Sequence, residues 1–166
     1  MIYAKPMAIR EALPQDVIPI HQLIIELAEY ERAAAEVIAT PLDLEATLFA
    51  QTPTAYVHVA IDDATGQVVG FALWFISYST WLGRQGIYLE DLYVKQTNRG
   101  QGHGRALLAA LANICLVKNY GRLEWSVLDW NEPAINFYRQ LGATAMDEWT
   151  VNRASGEVLK ALAGLR

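Results

Sequence analysis

Apolar residues recur at helical spacing near both ends of the chain and at strand spacing in its middle. Ile20, Leu23, Ile24 and Leu27 fall on one side of a 3.6-residue period, leaving Glu26, Glu29 and Arg32 nearer solvent. Asp16 is expected to cap a helix running from there to about Arg32. Pro19 then lies in the first turn, where a missing N–H removes no intrahelical bond. Ala8-Ile9-Arg10 predicts a short first strand. Thr40-Pro41-Leu42-Asp43 combines an N-cap threonine, a proline at the first helical position and a capping-box acid. It predicts a shorter helix through about Phe49.

The period then changes. Between Ala55 and Ile61, Tyr56, His58 and Ala60 alternate with Val57, Val59 and Ile61, and Val68 to Tyr78 is a second, mostly apolar strand. Asp62-Asp63-Ala64-Thr65-Gly66 between them is a turn cluster, so the pair should be an antiparallel hairpin. Ser79 to Gly86 is expected as a loop and Ile87 to Val94 as a third strand. Leu107, Leu108, Leu111, Ile114 and Cys115 share one face of a helix over Gly102 to Asn119. Leu123 to Leu128 is a strand, Pro133 opens a helix that Gly142 ends, and Ala145 to Arg153 is a further strand. Ser155-Gly156-Glu157 caps a short last helix. This order predicts an α/β (α+β mixed) fold with a mixed, mostly antiparallel sheet flanked by helices, not a doubly wound parallel sheet.

Length and composition narrow the class. With 166 residues, no repeat and no composition shift, a single domain over residues 1–166 is expected. The charge is 13 basic against 18 acidic residues, a net −5, which disfavours nucleic acid or an anionic membrane as the main partner. It suits a cationic or neutral partner. The single cysteine, Cys115, excludes an intrachain disulfide, and His21, His58 and His103 have no ligand spacing, so no metal is expected. The N-terminus shows no apolar leader and no apolar run reaches a membrane span, so the cytoplasm is the expected compartment.

The most informative segment is Tyr88-Leu89-Glu90-Asp91-Leu92-Tyr93-Val94, followed by Lys95 to Arg99, then Gly100-Gln101-Gly102-His103-Gly104 and an apolar helix. A strand, a glycine turn and a helix N-terminus make an anion site, because backbone N–H groups and the helix dipole point at the ligand. A P-loop fails because Arg105-Ala106 follows Gly104. A dinucleotide fingerprint fails because Arg105 stands at its last glycine. What remains is R-x-x-G-x-G at Arg99, Gly102 and Gly104. No Ser, Thr, Asp or Asn caps the helix, so its first amides need another partner.

This pattern resembles the diphosphate turn of the GNAT superfamily of acyl-CoA N-acyltransferases, and in particular its spermidine/spermine (diamine) and thialysine N-acetyltransferase branch. The matching stretches include Glu26-Leu27-Ala28-Glu29-Tyr30-Glu31, Gly70-Phe71-Ala72, Trp81-Leu82-Gly83 and Tyr88 to Val94. Arg99 to Gly104, Trp130 to Tyr138 and Gly142-Ala143 complete them, in the family's order over most of the chain. The resemblance implies acetyl-CoA as cosubstrate, held by Leu92, Tyr93, Val94, Arg99, Gly100, Gln101, Gly102, His103, Gly104 and Arg105. Asn131, Glu132, Pro133, Ala134 and Tyr138 would hold its other side.

Acetyl transfer to an amine sets three demands. The amine must be neutral, although an alkylammonium of pKa ~10.4 costs about 5 kcal/mol to deprotonate at pH 7. A carboxylate, directly or through water, can take that proton. Glu90 and Asp91 are adjacent in a strand and so face opposite sides; the resemblance gives Glu90 the role of substrate contact and base through water. The thioester carbonyl must be polarised, and the resemblance implies that the strand opens after Leu92 so that main-chain groups of Leu92 to Val94 meet the cosubstrate. The leaving thiolate must be protonated, and the resemblance makes Tyr138 the general acid. Tyr30, Glu31 and Glu90 are carried to the amine-binding wall. The late pair Asp147-Glu148 matches a slightly longer family segment that contributes a carboxylate, and Glu148 is taken as the substrate contact. His103, where relatives carry an aliphatic residue, is expected to point outward, and Cys115 to be inert core. The branch implies a homodimer acting on a small cationic amine: a diamine, a polyamine or a lysine-like amino acid. Alternatives are a relative acting on a protein or antibiotic amine, or a non-catalytic acyl-CoA-binding regulator.

Overall fold

The computed structural model describes residues 8–164. The chain divides into two compact units, Met1–Ser126 and Val127–Arg166.

The first unit carries the whole sheet. Strand β1 (Ala8–Glu11) is followed by helix α1 (Val17–Tyr30) and helix α2 (Pro41–Leu48). Then come β2 (Tyr56–Ile61), β3 (Val68–Ser79), β4 (Arg84–Val94), helix α3 (His103–Val117) and β5 (Leu123–Trp125). The strands lie in sequence order, antiparallel from β1 to β4, with β5 parallel to β4.

Local chemistry explains most element ends. Asp16 does not cap α1 as expected. Its carboxylate accepts from the Leu13 N–H at 2.7 Å and pairs with Arg10 at 2.6 Å, closing a 3-10 turn ahead of the helix. Helix α1 stops two residues short of Arg32. Arg32 adopts the left-handed φ of +62°, while the Ala33 N–H reaches back to the Ala28 carbonyl at 2.8 Å. The capping box of α2 forms as predicted: Thr40 Oγ1 accepts from the Asp43 N–H, and Asp43 accepts from the Thr40 N–H at 2.8 Å.

Val57, Val59, Phe71 and Tyr93 from the sheet pack with Ile20, Leu23 and Leu27 of α1 in one core cluster. The loop expected over 79–86 is shorter, because β4 already pairs from Arg84 opposite Ser79. Strand β5 is three residues long rather than six.

In the second unit, helix α4 (Glu132–Gln140) ends at Gly142, with φ +85°. The Gly142 N–H bonds the Arg139 carbonyl at 3.0 Å and the Ala143 N–H bonds the Tyr138 carbonyl at 3.2 Å, the Schellman arrangement that the glycine predicts. Helix α5 (Glu157–Leu162) follows. The strand expected over Ala145–Arg153 does not form. Residues 145–153 are all exposed, and a turn at Asp147-Glu148 lets the Trp149 N–H bond the Met146 carbonyl at 3.1 Å. A lone strand satisfies no ladder, and no strand is present among the described residues of this unit to pair with it.

Candidate active site

The first unit supplies the glycine turn. After β4, a 3-10 turn (Gln96–Asn98) leads to Arg99 in extended conformation. Gly100 and Gly102 follow at φ +75° and +94°, values that a residue with a Cβ rarely adopts. No side chain caps α3, and its first intrahelical bond is Ala106 N–H to the Gly102 carbonyl at 3.0 Å. The amides of His103, Gly104 and Arg105 therefore precede the helix's own ladder and suit an anion such as the diphosphate of acetyl-CoA. Gly100, Gln101 and Arg105 are exposed around this turn.

His103 departs from expectation. It does not point outward: it is only 4% exposed, and neither ring nitrogen has a hydrogen-bond partner among the described residues. It stands four residues before Leu107 and eight before Leu111, on the same inward stripe of α3. The sequence itself carries that spacing.

Strand β4 contains a β-bulge. Leu73 of β3 opposes Asp91 and Trp74 opposes Leu89, so Glu90 is an extra residue. Leu89 keeps to the sheet face of its partner Trp74, whereas Asp91 and Tyr93 turn to the face of Leu73 and Phe71, which α1 covers. In an unbroken strand Leu89 and Asp91, two residues apart, would share a face. Glu90 itself is exposed.

Beyond Leu89 the sheet opens. Pairing of β4 with β5 ends at Leu89 opposite Trp125, while pairing with β3 continues to Val94 opposite Gly70. The opening thus begins earlier than after Leu92, and main chain from Glu90 to Val94 borders it. Gly70 is required there, since a Cβ would lie 2.9 Å from the Tyr93 carbonyl oxygen.

Carboxylates gather around Asp91. Asp91 is pushed up to about 6, first by burial and then by the charges of Glu90 and Glu31. Burial also raises Glu31, the residue just past the end of α1. Two of these acids, Glu31 and Glu90, are candidates from the sequence motifs. Asp91 is not, because the bulge that turns it inward has no signal in residue type.

Arg99 lies over two aromatic rings, with its guanidinium carbon 4.9 Å from the Tyr30 centroid and 5.4 Å from the Tyr93 centroid. Its Nε–H donates to the Val94 carbonyl at 3.0 Å. An open cleft of ≈ 530 Å³ beside them is lined by Glu26, Glu29, Tyr30, Tyr93, Lys95, Gln96 and Thr97.

In the second unit, Asn131 is 7% exposed and caps α4, its Oδ1 accepting from the Ala134 N–H at 3.3 Å. Glu132 and Pro133 form the first turn. Phe137 and Tyr138 are both half-buried, with ring centroids 5.3 Å apart at an interplanar angle of 53°. Asp147 and Glu148 are exposed on the irregular segment, so no strand fixes where Glu148 points. Cys115 is buried, as expected, and burial raises its thiol pKa.

The sequence matches the acetyltransferase (GNAT) family over residues 20–143. The chain belongs to the GNAT family. Among its GNAT relatives, the thialysine N-epsilon-acetyltransferase of Bos taurus is 43% identical over 165 residues, covering 94% of this chain and 96% of the relative. The L-ornithine N5-acetyltransferase of Arabidopsis thaliana is 33% identical, covering 93% of this chain and 86% of its own. Among solved structures, an integron cassette protein from the mobile metagenome of V. cholerae superposes with a TM-score of 0.78 at 27% identity, covering 96% of this chain and 99% of its own. This GNAT chain is an N-acetyltransferase. No helix among its described residues is long and apolar enough to cross a membrane, and no group of three or more potential ligands there could hold a metal.

Proposed function

We propose that this acetyltransferase moves an acetyl group from acetyl-CoA to a primary amine of a small cationic substrate: a diamine, a polyamine or a lysine-like amino acid. The observation that carries this reading is the gathering of Glu31, Glu90 and Asp91 at the strand that runs into the uncapped turn. Relatives named for thialysine and ornithine support it, as does one named a spermidine/spermine N(1)-acetyltransferase-like protein. The family match spans residues 20–143, which supports treating residues 1–166 as one domain.

Acetyl-CoA supplies an activated thioester. The amides of residues 103–105 hold its diphosphate, and the main chain of Leu92 to Val94 faces its acyl arm. A preorganised N–H at the developing oxyanion contributes about 3 kcal/mol. Glu31 and Glu90 attract the cationic amine. Asp91, titrating near 6, accepts the ammonium proton, directly or through water, and Glu90 remains available for the same transfer. Tyr138 donates its phenol proton to the leaving thiolate. The family resemblance supports Asn131 to Ala134 as cosubstrate contacts and Glu148 as an amine contact. The protein acts in the cytoplasm as a homodimer.

Thiol release from acetyl-CoA in the presence of spermidine, putrescine, ornithine, lysine and thialysine tests the proposal. At least one of them should turn over with a kcat/KM at least about tenfold above that for an aminoglycoside or a peptide α-amine, given what a buried charge contact contributes. Silence with every amine, with CoA still bound, would leave only a regulator. In the same assay Tyr138→Phe should lower kcat about a hundredfold and leave acetyl-CoA affinity intact; an undiminished rate would remove Tyr138 from the acid role.

A further inference from the structure

His103 is a buried titratable group at the diphosphate turn. It is the first residue of α3, and neither ring nitrogen has a hydrogen-bond partner among the described residues. Burial leaves such polar groups costly unless something compensates them. Helical spacing puts the ring on the stripe of Leu107 and Leu111, while the backbone N–H is the first of the three that precede the helix ladder. One residue thus joins the anion-binding amides to the buried stripe.

Asp62, in the turn between β2 and β3, faces this ring with a fixed carboxylate. Its Oδ1 accepts from the Thr65 hydroxyl and amide, both at 2.8 Å, and its Oδ2 from the Asn98 side chain at 3.4 Å. The Thr65 bonds first, and the charge of His103 with them, hold Asp62 below the usual carboxylate range. Its neighbour Asp63 is exposed. Helix α3 packs against the sheet but adds nothing to the core cluster of α1, so it covers the opposite face. On that face Glu11 of β1 opposes His58 of β2, whose Nδ1 accepts from the Trp74 indole at 3.2 Å. Ahead of the turn, Lys95 is engaged with Glu26, and Arg99 with the rings of Tyr30 and Tyr93; beyond it, Arg105 is exposed.

Burial and the positive end of the helix dipole oppose a charge on the ring, and Asp62 favours one. A diphosphate on the amides of residues 103–105 adds negative charge and offsets the dipole. We propose that His103 takes up a proton as acetyl-CoA binds, so that an imidazolium offsets the charges of the cosubstrate's diphosphate and of Asp62. The proton comes from solvent and returns to it when the coenzyme leaves. This rests on the acetyl-CoA reading above and leaves the amine-side residues in their places. His103 is a positioning residue, and through it cosubstrate affinity falls as pH rises through neutrality.

Calorimetry of the full chain with dephospho-CoA tests this, because that ligand keeps the diphosphate and lacks the 3′-phosphate, which itself titrates near neutral pH. At pH 7, in buffers of different ionisation enthalpy, the parent should take up about half a proton per ligand bound. Its affinity should fall about tenfold between pH 6 and pH 8.5. His103→Leu suits the apolar stripe and should abolish the uptake and flatten the pH dependence, whereas Asp91→Asn should keep both. In NMR spectra at pH 7 the ring signals of His103 should move to the imidazolium position on binding, while those of His21 and His58 stay. Uptake that persists in His103→Leu or disappears in Asp91→Asn would overturn the proposal. So would a parent that binds without uptake and with the same affinity at both pH values, a result that decides the matter even if His103→Leu does not fold. A parent that binds neither CoA nor dephospho-CoA would instead overturn the acetyl-CoA reading itself.

Discussion

Asp91 shows what one side chain can cost a fold and return to function. Its pKa rises from 3.8 to about 6, so the native state binds this proton more tightly than the unfolded chain does. Its contribution to stability is thus fully present below pH 4, is lost as pH rises to about 6, and is constant above that. Asp91→Asn should accordingly stabilise the ligand-free protein by about 2 kcal/mol at pH 7.5, after allowance for solvent screening, with no difference below pH 4. Urea unfolding at the two pH values checks this, and equal gains at both would refute it. The same variant should raise the KM of a cationic amine at least about tenfold, because an opposite charge sheltered from water is lost. His103 is legible where Asp91 is not. Its inward position follows from helical spacing with Leu107 and Leu111, although the glycines around it resemble a solvent-facing turn.

Elements whose ends are fixed by local chemistry are legible from residue type alone. Thr40 with Asp43 starts α2, Gly142 ends α4, and the missing cap of α3 is visible as a run without Ser, Thr, Asp or Asn. Ends fixed by tertiary context are not. Arg32 takes a conformation ordinarily left to glycine, so α1 ends before the pattern does. The segment over 145–153 has strand-like composition but no partner strand among the described residues of its unit. Gly102 tests how much the turn depends on its backbone. At φ +94°, Gly102→Ala should cost about 1 kcal/mol of stability and lower CoA affinity about tenfold. Thermal unfolding and calorimetry measure the two effects, and unaltered CoA binding would separate the turn from the cosubstrate.

The whole molecule reads as one family by several independent routes: residue motifs, sheet order and relatives at 43% and 33% identity. Its net charge of −5 suits a cationic substrate, and the acids that matter locally lie at one end of α1 and on β4. The Val127–Arg166 unit leaves Met146, Trp149, Val151 and Leu162 between 64% and 78% exposed. This supports burial against a second copy. Sedimentation equilibrium at micromolar concentration should give twice the chain mass, and a monomer at every concentration would exclude the homodimer.

At Glu90 the strand that carries the acids has one residue more than its neighbour can pair. The surplus lets the two halves of β4 keep separate counts, one set by Trp74 and the other by Leu73. If the same residues paired evenly, Glu90 would take the place opposite Leu73, and Asp91 and Tyr93 would swing to the side away from α1. An engineer who ironed out the kink while keeping every residue would thus hand the proposed proton acceptor to the wrong side of the protein. One who excised Glu90 would leave those two side chains where they are and lose only the exposed acid and the local bend.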